Sequence, residues 1–488
     1  MQKTSDTKRE VGYIVSTQDY LVFLEGLPSA QINDIVVTKN GSRGLVAALS
    51  KDKVEAWMLD PERPKPGEYM ELSDKGLQIP LGTHLTGRMI NPLGQPLDGR
   101  AGFPPTGVAI DLDVVAPGID TRKIVSEQFY IGLTMIDTLI PIGKGQRELL
   151  FGEARSGKSS FIVDAIVHQK HFNRICVYSA IGRSEIDTKR LAEQITEQEG
   201  DKFTVIVAAT SSESAPMIAI CPAIACSVAE QYRDQGRDVL LILDDLATHA
   251  KYLREISLLA GRIPGRESYP ADIFYQHSHL VERAGNFNEK YGNGSITLLP
   301  VIETDLENIT SLIPTNVMSM TDGHVLFSAS LRAQGVYPAI EPDRSVTRVG
   351  RQTQFFLHKV LSDRVRSLLA DYHELERYGR FGSELTGETQ LKIKRGKITE
   401  ELLKQDTLTY IEPSVQILLL ALVFTGYFDG MDIEAVRTSK KKVIRALTES
   451  PTFKDLSSTL KDAKLDELIT KLKEGIPTLE EACRQLQT

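Results

Sequence analysis

The spacing of hydrophobic and polar positions changes twice along the chain. From residue 11 to about 78 the apolar runs are short: Val11–Val15, Tyr20–Leu24, Asp34–Thr38, Gly44–Leu49 and Lys53–Met58. They are rich in β-branched residues, and Gly26, Pro28, Asn40-Gly41 and Pro61 punctuate them. This pattern predicts five or six strands with tight turns, enough for a small barrel. Pro64, Pro66 and Gly67 mark a loop near its end. From 79 to about 350, apolar runs at Glu148–Phe151, Ile175–Ser179, Thr204–Ala208, Val239–Leu243 and Ser295–Ile302 alternate with helical spacing. Such alternation predicts a parallel sheet covered on both faces. After 351, Phe355, Phe356, Val360, Leu361, Val365, Leu368, Leu369 and Tyr372 recur at helical intervals. Similar spacing at Ile398–Lys404, Val415–Phe424, Ile433–Leu447 and Leu465–Leu472 predicts a helical bundle. The Val415–Phe424 run, broken by Gln416, is too short to span a bilayer and suits a buried helix. Lys440, Lys441 and Lys442 read as a solvated helix face. The chain thus reads as multidomain β + α/β + α, divided at 1–78, 79–350 and 351–488.

Composition narrows the class. At 488 residues the chain is too long for one core. Hydrophobic residues make up 41% and charged residues 25%, ordinary for a folded soluble protein. A net charge of −8 supplies no broad basic field for a nucleic-acid backbone, so no nucleic-acid partner is expected. Cys176, Cys221, Cys226 and Cys483 complete no zinc set and read as reduced thiols, mostly in the core. Residues 1–10 are polar and charged, unlike a signal peptide, so membrane association is expected only through partner proteins.

One motif carries direct chemical information. Residues 152–159, Gly-Glu-Ala-Arg-Ser-Gly-Lys-Ser, fit the phosphate-binding pattern G-x-x-x-x-G-K-[ST]. Gly152 and Gly157 let the backbone curl until N–H groups point inward. A polyphosphate can lie in that nest at the positive end of the next helix. The segment Gly152, Glu153, Ala154, Arg155, Ser156, Gly157, Lys158, Ser159 and Ser160 is therefore the candidate nucleotide loop. Lys158 would add charge near the outer phosphates, and Ser159 would hold Mg²⁺. A strand before it and helical spacing at Phe161, Ile162, Ala165 and Ile166 after it are the required context; a glycine-rich turn with an exposed lysine is the competing reading. Downstream, the apolar strand Val239–Leu243 ends in Asp244 and Asp245. A carboxylate there can hold Mg²⁺ through water. Asp244 is the candidate ligand and Asp245 its support, against the alternative of a solvated acidic turn. Together these imply a RecA-like P-loop nucleotide-binding core taking ATP or ADP with Mg²⁺.

With barrel, nucleotide core and helical end in that order, the chain resembles the alpha subunits of F-type ATP synthases. The likeness is carried by Leu93–Gly99, Pro141–Leu149, Pro264-Gly-Arg-Glu-Ser-Tyr-Pro270, Phe274-Tyr-Gln-His-Ser278 with Glu282-Arg-Ala284, Pro300–Thr304, Ile313–Asn316, Thr321–Gly323 and Ser345-Val-Thr-Arg-Val-Gly350. The resemblance implies a ring of three alpha and three beta subunits around a gamma shaft, peripheral to the cytoplasmic face of a bacterial plasma membrane. In such a ring the beta sites turn over, while the alpha sites bind nucleotide without cleaving it and help regulate. In beta, a glutamate after the glycine that ends the strand following the loop helix orients the attacking water. Here Gly182 is followed by Arg183, which cannot accept a proton. Glu185, two positions on, is a weak substitute. Arg348 matches the family's arginine finger, which reaches the terminal phosphate bound on beta, and Ser345 matches a position that sets the finger's loop. Gln405 matches one of two glutamines of the adenine pocket, and Glu303 a strand end near the phosphates.

The departures are specific. The second adenine-site glutamine is Thr407, the arginine before Pro-Ala-Ile is Tyr337, and the loop's usual Asp-Arg-Gln-Thr is Glu153-Ala-Arg-Ser156. The family's helical segment ahead of the barrel, which docks the delta subunit, is expected to be missing. The alternative reading is a homohexameric P-loop motor such as an export ATPase or an RNA helicase. Such a ring needs the water-orienting glutamate and the finger in one chain.

Overall fold

The computed structural model describes residues 10–103, 107–305, 309–379 and 387–485, so most of the polar stretch 1–10 lies outside the described residues. The chain forms two compact units. The first comprises residues up to Ile124, Gly145–Ala154 and Gln169–Asp322; the second comprises Val125–Lys144, Arg155–His168 and Gly323 onward. The division at 78 and 350 remains a proposal about folding units.

The first unit begins with a closed six-stranded barrel. Its strands run in the order Val11–Gln18, Leu21–Glu25, Val54–Met58, Arg43–Leu49, Ile35–Thr38 and Tyr69–Leu72, each antiparallel to its neighbours. Buried Val22, Leu24, Val36, Val46, Ala56, Met58 and Met70 belong to its core. Bulges near Ile14 and Val46 add the local twist that closure requires. Gly44 is buried in the wall, where a Cβ would stand 3.1 Å from Val36 and 3.3 Å from Met70.

The α/β core follows in the same unit. Strands Glu148–Gly152, Ser295–Glu303, Asp238–Asp244, Ile175–Ile181, Thr204–Ala209 and Met89–Ile90 lie side by side and parallel. Their uninterrupted apolar runs are what a sheet buried on both faces demands. Helices Glu185–Glu197, Ala215–Asp234 and Leu246–Leu259 supply the crossovers. Cys176, Cys221 and Cys226 are buried thiols within this core, and burial pushes Cys221 and Cys226 up to about 12.

The second unit contains the helix Lys158–Val167 that follows the glycine loop, the antiparallel strand pair Gly323–Phe327 and Val346–Thr347, and the C-terminal helices. These are Phe356–Gly379, Gly387–Leu403, Pro413–Thr425, Ile433–Glu449, Pro451–Ser458 and Leu465–Gln485. Pro413–Thr425 is apolar on every side, and Val415 through Val423 are all buried, as expected of a central helix. Within that buried stretch the polar interruption is Gln416, whose Nε2 donates to Asp137 Oδ2 at 2.9 Å and to Ile411 O at 2.8 Å. Among the described residues no helix is long and apolar enough to cross a membrane.

The lysine run departs from expectation. Lys441 is exposed and pairs with Asp406 at 2.8 Å. Lys440 instead turns inward, only 9% exposed. Its ammonium donates to Glu401 O at 3.1 Å and also to Lys404 O. These carbonyls end the helix Gly387–Leu403, and the lysine caps them.

Candidate functional site

In the first unit, Gly152 ends its strand opposite Glu303 with φ 152°, and its carbonyl accepts from Thr304 N at 3.1 Å. Glu153 is half-buried and Ala154 exposed. Asp244 ends its own strand and is 1% exposed. Its Oδ2 accepts from the Tyr178 hydroxyl at 2.8 Å and its Oδ1 from Arg183 Nη2 at 2.6 Å. Burial opposes the charge of Arg183, but Asp244 more than restores it, and the guanidinium pKa rises. Burial first, then Asp244, pushes the Tyr178 phenol far above its usual range. Asp245 has a different task. It caps the helix Leu246–Leu259, accepting from Thr248 N at 2.5 Å and Thr248 Oγ1 at 3.1 Å. Burial and then the neighbouring Asp244 lift its pKa to about 6. Glu185 lies in the first turn of its helix, mostly exposed, and pairs with Lys189 at 3.2 Å.

In the second unit the loop continues through Arg155, exposed and left-handed at φ 59°, and Ser156, fully buried. Gly157 then caps the helix at φ 97°, a conformation in which a side chain is strained. Lys158 is 3% exposed, and its Nζ lies 3.4 Å from Ser156 Oγ. Ser159 is exposed on the first turn and Ser160 half-buried.

The sequence reading passed over two residues of this unit. Asp164 interrupts the apolar run Phe161–Val167 and is fully buried. Its Oδ2 accepts from the Tyr337 hydroxyl at 2.5 Å and its Oδ1 from Leu408 N at 2.9 Å. Burial raises its pKa to about 6 despite those bonds. A carboxylate inside a wholly apolar helical run is the signal that could have found it. The second residue is Arg332, exposed on the short helix Ala329–Ala333. Its Cδ lies 3.6 Å from where a Cβ on Gly157 would be, and its guanidinium carbon 5.4 Å from the Tyr337 ring centre.

Gln405 is 4% exposed and held by its own surroundings. Its Oε1 accepts from Thr134 N at 3.0 Å and Thr134 Oγ1 at 3.1 Å, while its Nε2 donates to Gly132 O and Thr409 O. It lines a cavity of about 390 Å³ with Tyr337, Asp406, Thr409, Arg437 and Lys440. With its amide hydrogen-bonded at both ends, Gln405 forms a fixed wall there. Thr407 is exposed.

Ser345 and Arg348 flank a short strand. Ser345 Oγ donates to Glu341 O at 2.7 Å and accepts from Leu326 N at 3.0 Å. Val346–Thr347 pairs with Gly323–His324, and Thr347 Oγ1 donates to Pro141 O at 2.9 Å. Gly350 packs so closely that a Cβ would fall 1.6 Å from Pro141 O. Arg348 therefore emerges, exposed, from a segment pinned on both sides.

Comparison with known proteins agrees with this arrangement. The nucleotide-binding domain of the ATP synthase alpha/beta family matches residues 132–347, and the C-terminal domain of the ATP synthase alpha/beta chain matches 354–479. The ATP synthase subunit alpha of Neorickettsia sennetsu is 38% identical over 444 residues, which cover 89% of this chain and 87% of that relative. The chain belongs to the ATP synthase alpha/beta family, and within it to the alpha subunits of F-type ATP synthases.

Proposed function

We propose that this chain is the regulatory, mainly non-catalytic nucleotide-binding subunit of the rotary head. In this reading its phosphate loop holds ATP or ADP, and Arg348 serves as the arginine finger of a neighbouring beta subunit. The observation that carries the non-catalytic part is the position after Gly182. A carboxylate there could order an attacking water, but the residue is Arg183, and its guanidinium is committed to Asp244. Glu185 points to its own helix partner Lys189.

Mg²⁺ belongs to the same proposal. Ser159 presents a hydroxyl on the exposed first turn, which fits a hard cation. Each oxygen of Asp244 accepts a hydrogen bond, and the share proposed for it is contact through water. When bound, the metal would offset charge on the phosphates. The chain's own residues would cradle the phosphates with loop N–H groups and Lys158, and would wall the base with Tyr337 and Gln405.

The partners in this reading are beta subunits in a three-plus-three ring, the gamma shaft and the delta subunit of the stalk. Membrane attachment at the cytoplasmic face of the bacterial plasma membrane would run through other subunits. The test is rapid-quench single turnover on the purified chain with radiolabelled ATP. We expect stoichiometric binding and no phosphate release above the uncatalysed background. Release within seconds, abolished by Lys158→Gln, would show a competent site of its own and overturn the reading.

A further inference from the structure

We propose that Arg332 is a direct ligand of the nucleotide's phosphate chain, held ready by a cation–π contact with Tyr337. The inference rests on the nucleotide reading above and adds a residue to it. Every observation lies within the second unit.

The stem of Arg332 runs against the pivotal glycine of the loop: its Cδ and Nε lie 3.6 and 3.9 Å from the Cβ position of Gly157. Its guanidinium lies over the Tyr337 ring, 5.4 Å from the centre. Tyr337 cannot drift, because its hydroxyl is held by buried Asp164 and its carbonyl accepts from Gln405 N at 2.8 Å. The same ring lines the cavity that Gln405 walls. Arg332 therefore stands where the phosphate cradle meets the base cavity.

Its chemistry is uncommitted. Among the described residues the guanidinium makes no hydrogen bond and no ion pair; the Tyr337 ring is its one polar-type contact. A cation–π contact engages the charge of the guanidinium and consumes none of its N–H donors. A planar fork of donors beside an N–H nest is suited to phosphate oxygens, which it can bind in bidentate fashion. Lys158, by contrast, is buried beside Ser156 and acts as a point charge. The family's arginine before Pro-Ala-Ile is Tyr337 here. In this chain a cation stands five residues upstream, over the tyrosine ring.

The test uses the full-length chain and equilibrium binding of ATP, ADP and adenosine. Arg332→Ala should weaken ATP and ADP by about tenfold or more, the usual effect of losing a charged hydrogen bond. Adenosine affinity and melting temperature should stay as in the wild type. Arg332→Lys should recover part of the ATP affinity, since it keeps the charge but not the fork; Arg332→Gln, which keeps much of the length without the charge, should not. Equal losses for adenosine and ATP would make Arg332 a wall of the base cavity and overturn the proposal, as would unchanged ATP binding. Lys158→Gln separates the two levels. If it abolishes ATP binding while Arg332→Ala leaves ATP affinity unchanged, the inference alone fails. If the wild-type chain binds no nucleotide, the underlying reading fails and takes the inference with it.

Discussion

Lys440 shows how a single residue can contradict its neighbours in sequence. Three consecutive lysines read as a solvated face, yet a helix turns by about 100° per residue and can aim one of three inward. Burial lowers the Lys440 pKa from 10.5 to about 8, although Glu401 and Asp406 pull the other way. The sign follows from proton counting. Between about pH 8 and 10.5 the unfolded chain keeps a proton that the folded chain has released, so this residue adds stability as pH rises through that window. Below about pH 8 its contribution is at its minimum, because the charge is carried into the fold. Lys440→Met removes the titration. Denaturant unfolding of both proteins across that range should show the wild type gaining about 3 kcal/mol relative to the variant. A difference that stays flat with pH would place the ammonium in solvent. Tyr178 and Arg332 were equally silent in the sequence. Each matters through a partner far along the chain, and spacing alone does not report such partners.

At the scale of elements, five sheet strands were legible because a parallel sheet buried on both faces writes itself as apolar runs, while the two-residue strand Met89–Ile90 was too short to register. The helix Ala215–Asp234 was not singled out. Seventeen of its residues are buried and Pro222 lies inside it, so it has neither a polar face nor the expected composition. The final barrel strand, Tyr69–Leu72, has four residues and hides behind the Pro64–Gly67 loop. Pro451–Ser458 is likewise too short for its period to register. The segment Ser345–Gly350 was legible by resemblance, but the reason it is rigid was not. Ser345 Oγ joins two backbone groups, Leu326 N and Glu341 O, and so fixes where the strand leading to Arg348 begins. Ser345→Ala leaves both groups without that partner, at about 1–3 kcal/mol locally. In the assembled complex we expect turnover to fall by about tenfold or more, since small displacements of a reacting group are costly. Nucleotide affinity of this chain should be unchanged. An equal fall in nucleotide affinity would mean that Ser345 supports the chain's own pocket instead.

For the whole molecule, the order barrel, nucleotide core and helical end was readable from changes in period, and the phosphate loop from eight residues. Its division of labour with other chains is not written in any period. The division of labour proposed above rests on two arginines: Arg183, where hydrolysis would need a carboxylate, and Arg348, exposed just after a pinned strand. The most direct measurement pairs two readouts on one variant. Arg348→Ala is introduced into this chain, and the complete ATPase complex is assembled with wild-type beta subunits. The account expects this chain to bind ATP within about twofold of the wild type, while steady-state turnover of the complex falls by about a thousandfold, the scale of a lost arginine finger. Turnover within a few-fold of the wild type would contradict it.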